Sequence, residues 1–199
     1  MTTSNSIGIN AGTSGYVITS AAAGSPITST IKTKVGAVHL LSTQAAAVSG
    51  TIDFTSLITS TYKVYKIVIT GVYQSSANRL VMQVSTDNGS TWQTGGTDYS
   101  WASQTITTAG ALTLTGDNAD AGCRISAGTS STTVPSGQYE IYIIDPATVN
   151  CIILCQNNTS NTSLESAIHV TAAIDVDAIR FATGGGTITA GTFSLYGIL

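Results

Sequence analysis

The sequence predicts an all-β protein: an antiparallel β-sandwich, jelly-roll-like, preceded by an extended N-terminal arm. Three observations predict it. Short runs rich in β-branched and aromatic residues recur from residue 51 to the C-terminus, a composition that suits a pleated, half-buried surface. Clusters of Gly, Ser, Thr, Asn and Asp separate these runs at intervals typical of sandwiches and barrels. No segment sustains the i, i+3, i+4, i+7 apolar repeat over three helical turns.

Residues 1–48 stand apart from residues 49–199, which hold the sandwich. The first region carries Lys32 and Lys34 as its only charges and Tyr16 as its only aromatic. A segment of Gly, Ser, Thr, Ala and small aliphatics cannot bury enough apolar area to order itself. It is therefore expected to serve attachment or assembly by packing on another subunit, or to add strands to the domain at Tyr16–Ile18 and Ala37–Leu41.

The strand candidates follow in order. Tyr62–Thr70 is rich in β-branched and aromatic residues and ends at Gly71. Arg79–Ser85 places Leu80, Met82 and Val84 on one face. Thr105–Thr107, Ala111–Leu114, Gln138–Ile144, Val149–Cys155, Ala167–Ile174, Ala178–Ala182 and Thr192–Ile198 complete the set. Leu57–Tyr62 has room for one helical turn. Ile141–Ile144 and Cys151–Leu154 are apolar on both faces, whereas a small sandwich wets one face of each strand. Two-sided apolarity implies that an outer face is covered, by the arm or by a second subunit, and a closed homotrimer covers it most simply.

Charge excludes several functions. Only 9% of residues are charged against 42% hydrophobic, where soluble domains carry roughly a quarter charged. Seven Lys and Arg and a formal charge of -3 give no basic cluster for phosphates, so nucleic acid is not an expected partner. No run approaches the roughly 20 apolar residues of a membrane span, and Met1–Asn5 lacks the basic and apolar regions of a secretory signal. Synthesis in the cytoplasm is expected. Cys123, Cys151 and Cys155 form an odd set; Cys151 and Cys155, about 13 Å apart along one strand, are out of disulfide reach and read as buried thiols. The pairs Asp117 with Asp120 and Asp175 with Asp177 lack the ligand density of calcium loops. With His39 and His169 isolated, no metal and no cofactor is expected.

One local motif is explicit. Residues 85–92 read Ser-Thr-Asp-Asn-Gly-Ser-Thr-Trp, the Asp-box pattern Ser-x-Asp-x-Gly-x-Thr-Trp. Asp87 can accept hydrogen bonds from following amides, Gly89 permits positive φ, and Ser85, Thr91 and Trp92 fasten the ends. It reads as a hairpin turn. Such boxes repeat in sialidases, whose propellers need several blades at roughly 40 residues each. One box in 199 residues does not supply them. Arg79, Arg124, Arg180, Glu140 and Glu165 match no catalytic motif, and no catalytic residue is assigned. Thr183–Thr187 lacks the Lys and helix of a phosphate loop and reads as a hairpin loop. Trp92, Tyr99 and Trp101 cluster after the box; exposed, they could stack on a glycan, but such rings more often plug the space between sheets.

The span from Ile52 to Ile198 has a familiar order: Ile52-Asp53-Phe54, Tyr62–Ile69, Leu80 through the box to Trp92, Asp98-Tyr99-Ser100-Trp101, Ala178–Phe181, and the ending Phe193-Ser194-Leu195-Tyr196-Gly197. It resembles a C-terminal β-sandwich domain of tailed-bacteriophage virion structural proteins, of the tail-fibre, head-fibre or decoration type. The resemblance implies a non-enzymatic protein of the virion surface, trimeric, made in the host cytoplasm. It would be displayed as capsid decoration, cement or short fibre. Residues 1–48 would then bind the major capsid protein or tail and fibre proteins. The alternative implied is a tail-fibre or spike module that binds a host surface glycan.

Overall fold

The computed structural model describes residues 38–76, 78–126, 137–146, 151–158, 162–171 and 175–199. They form twelve strands: β1 (Val38–Ser49), β2 (Thr51–Phe54), β3 (Val64–Gln74), β4 (Leu80–Ser85), β5 (Tyr99–Thr107), β6 (Leu112–Asp120), β7 (Cys123–Arg124), β8 (Gln138–Ile144), β9 (Ile152–Asn158), β10 (Thr162–Val170), β11 (Ala178–Thr183) and β12 (Ile188–Ile198). All pairings are antiparallel. An eight-stranded sheet runs β1-β12-β3-β8-β9-β10-β5-β6, and a four-stranded sheet runs β2-β11-β4-β7. The antiparallel sandwich read from the sequence is the fold, with sheets of unequal size.

The core lies between the sheets. Tyr65, Ile67 and Ile69 of β3, Ile141 and Ile143 of β8, and Ile153 of β9 face inward from the large sheet, fully buried. Phe54, Met82, Val84, Ile179 and Phe181 meet them from the small one, also fully buried. Phe181 joins the layers, with its ring centroid 5.2 Å from that of Phe193 on β12 and 6.4 Å from that of Phe54. Burying an aromatic side chain of this size contributes about 1.5–3 kcal/mol.

Three local expectations are corrected. Of the two expectations for residues 1–48, the added strand expected at Ala37–Leu41 holds from Val38 and runs further, because Val38–Ser49 is the edge strand β1, in register with β12 from Val38 opposite Ile198 to Ser49 opposite Ile188, so a boundary after residue 48 falls inside it. Residues 1–37, with the strand expected at Tyr16–Ile18, lie outside the described residues. Leu57–Tyr62 makes no helical turn. Its β-branched residues disfavour one, and the Tyr65 hydroxyl takes both backbone groups of Thr59, accepting from its N–H at 2.6 Å and donating to its carbonyl at 2.7 Å. Tyr62 then folds back over Gly197, where a Cβ would lie 2.6 Å from the ring.

The third correction concerns the glycine loop. Thr183–Thr187 does not close a hairpin, since β11 belongs to the small sheet and β12 to the large one. It carries the chain across the sandwich and is tied to the segment between β3 and β4. Ser76 Oγ and Asn78 Nδ2 donate to the Gly185 carbonyl, and Ser75 exchanges two hydrogen bonds with Thr187. Sheet membership depends on distant pairing, which a local loop signal does not carry.

Candidate functional site

The 85–92 segment joins β4 in the small sheet to β5 in the large sheet, so it too is a crossing connection and not the hairpin expected. Its interior is closed by its own side chains. Ser85 Oγ donates to Asp87 Oδ1 at 2.8 Å and accepts from the Asp87 and Gly89 amides at 3.1 and 2.9 Å. Thr91 donates its amide to Asp87 Oδ1 at 2.8 Å and its hydroxyl to Oδ2 at 2.6 Å. The Thr91 bonds, with that from Ser85, stabilise the carboxylate and hold Asp87 below its ordinary pKa of 3.8. Gly89 sits at φ +86°, and a Cβ there would come within 2.8 Å of Thr55 Cγ2.

The turn is also fastened outward. The Asn88 amide donates to both carboxylate oxygens of Asp177, just before β11, at 2.8 and 2.9 Å. The Asn88 side chain meets Ser56, accepting from its amide at 2.6 Å. Trp92 lies under the Arg180 guanidinium, 4.2 Å from the ring centroid, and Arg180 forms a two-pronged pair with Asp53 at 2.9 and 2.7 Å. Ser85, Asp87, Gly89, Thr91 and Trp92 thus clamp one end of the small sheet through β2, β4 and β11. With both Asp87 oxygens already bonded inside the turn, the arrangement holds backbone in place.

The three aromatics do not form an exposed platform: Tyr99 and Trp101 plug the space between the sheets, the reading the sequence favours, and glycan contact through these two is the one set aside. Tyr99 is completely buried. Its hydroxyl accepts from the Val84 amide and donates to the Gln93 carbonyl, both at 3.0 Å, and burial pushes its pKa upward. Trp101 is 7% exposed, donates Nε1 to Asp120 Oδ2 at 3.0 Å and lies under Arg124, 4.7 Å from the ring centroid. The two rings stand at i and i+2 of β5, hence on one face, and that face turns inward. Trp92 alone remains half-buried.

The remaining chemistry-bearing residues are dispersed. Cys123, Cys151 and Cys155 are buried free thiols, and burial raises the last two to about 12. Asp117 caps the Ala119 amide, Asp120 holds Trp101, and Asp177 holds Asn88. Among the described residues no three His, Cys, Asp or Glu side chains converge as a metal site. Arg180 and Arg124 are engaged as above, Glu140 pairs with Lys66 at 3.0 Å, and Glu165 accepts from Gln156 at 3.2 Å.

The outer face of the large sheet carries a feature that no local motif marks. An open groove of about 750 Å³ has Ala102, Ala167 and Gly116 in its lining, along with Leu154, Leu114 and Glu165. Beside it the register aligns apolar side chains across neighbouring strands. The signal was present in the two-sided apolarity of β8 and β9, but only the pairing register shows that these residues form continuous rows. No protein-family model matches the chain, and no curated protein matches it.

Proposed function

We propose that this chain is a non-enzymatic structural protein of a tailed-bacteriophage virion, displayed on the particle surface as decoration, cement or short fibre. It works as a homotrimer anchored through the segment ahead of Val38 to the major capsid protein or to tail and fibre proteins. The observation that carries the reading is an outer sheet face bearing one unbroken apolar row and a second interrupted by Lys66, in a chain with only 9% charged residues. Such a face suits a protein whose surface is completed by neighbours. The order of residues from Ile52 to Ile198 supports placement on a virion. Particles labelled with antibody to this chain and viewed by electron microscopy test it: regular surface labelling is expected, and unlabelled particles contradict it.

The rival reading is a host-glycan-binding spike module. Tyr99 and Trp101 point into the sandwich, and Trp92 faces Arg180, so the aromatic neighbourhood offers little open ring for a sugar. A sialidase-like hydrolase finds less support still, because Arg180 is held by Asp53 and Arg124 by Trp101.

A further inference from the structure

We infer that the outer face of the eight-stranded sheet, centred on strands β1, β12, β3, β8 and β9, is the surface through which copies of this chain pack. The inference rests on the reading of the chain as an assembled protein and names the surface that assembles.

The register builds the patch. Val38 lies opposite Ile198, Ile198 opposite Val64, Val64 opposite Ile144, and Ile144 opposite Ile152, so five β-branched residues form one row across five strands. The adjacent row brings Leu40, Tyr196, Tyr142 and Leu154 into line, with Lys66 between the tyrosines. On β12, β3, β8 and β9 these positions alternate with buried residues, so they point away from the small sheet, and the pairing with β12 puts Val38 and Leu40 on the same face. Within one subunit Leu40 is 59%, Ile152 46% and Leu154 41% exposed. A solvated sheet face carries polar residues at such positions.

A second copy is the occupant that area and charge favour. The five strands, about 4.8 Å apart and each showing some seven residues of about 3.4 Å rise, make a face on the order of 550 Å². A pair of such faces buries about 1,100 Å² in all, above the roughly 1,000 Å² that a specific interface needs. Lys66, the one charge within the two rows, is neutralised by Glu140 of its own subunit and lies 5.4 Å from the Tyr142 ring centroid. Packing the two rows against another copy therefore leaves no unpaired charge within them. Packed sheets lie about 10 Å apart, and the same patch turned toward a three-fold axis in each copy would be covered by its neighbours in a closed trimer.

Sedimentation of the full-length chain beside Ile152→Lys and Leu40→Lys tests the inference, with hydroxyl-radical footprinting of the wild type as a measurement that needs no variant. The wild type is expected to sediment as an oligomer. Both variants should keep the wild-type circular dichroism and dissociate at least 100-fold more readily. In the wild-type footprint, Leu40, Ile152 and Leu154 should be oxidised several-fold less than Leu114, which is 72% exposed on β6. An oligomer that both variants leave intact overturns this surface while sparing the assembly reading, as does protection confined to Leu114. A wild-type monomer overturns both, and protection of the rows within that monomer would assign their cover to residues 1–37.

Discussion

The two faces of the eight-stranded sheet are built from the same strands, yet among the described residues only the inner one is covered. On β9, Ile153 and Cys155 lie against the small sheet while Ile152 and Leu154 on the opposite face remain exposed. The inner face is held by shape: aromatic rings from both layers interlock around Phe181, and Tyr99 is fixed at its hydroxyl. The outer face has register without a counterpart. Hydrophobic pattern alone therefore does not distinguish a core from an interface in this chain; the size of the facing sheet does, because four strands cannot cover both faces of eight.

Neighbouring residues on β9 give the sharpest way to break that comparison. Ile153→Lys places an unpaired charge among fully buried side chains, at a cost of several kcal/mol against a total stability of about 5–15 kcal/mol. Loss of the folded circular dichroism spectrum is expected, whereas Ile152→Lys one position away should retain it. Next in size, Phe181→Ala removes the ring that joins the layers and should cost about 3–5 kcal/mol, read as a lower urea midpoint.

The turn clamp supplies a smaller effect with a pH signature. Asp87 titrates below its ordinary 3.8 in the folded chain, so its contribution is fully present above that value and lost as pH falls through the folded pKa. The thermal midpoint should drop below pH 3.8, and Asp87→Asn should lower the midpoint at neutral pH while flattening part of that acid slope. The smallest effect belongs to the free edge. Leu114→Thr on β6, where neither face is packed, should shift stability by less than about 0.5 kcal/mol in a urea titration.

Much of the sandwich is legible before folding. Gln138–Ile144 is bounded as a strand by its own alternation, and Leu80, Met82 and Val84 announce their buried face. The edge strand β1 is legible only at its start, Val38–Leu41, because Ser42–Ala47 carries neither alternation nor β-branched density and is ordered by its partner β12. Hidden too is the length of β6, whose Gly116-Asp117-Asn118 reads as turn; pairing of Gly116 with Ala102 and Asp117 with Trp101 overrides local preference. The inward aim of Tyr99 and Trp101 is legible only from the size of the rings, since Ser100, Ala102 and Ser103 leave β5 with little contrast between its faces. Turn chemistry at 85–92 is encoded locally, but the two sheets it connects are a property of the whole chain.

Light scattering on the full-length chain at neutral pH gives the most direct test of the claim that neighbouring copies complete the outer face. The account predicts a particle mass that is a whole-number multiple, two or greater, of 20.3 kDa. A stable species of 20.3 kDa across the micromolar range would contradict it.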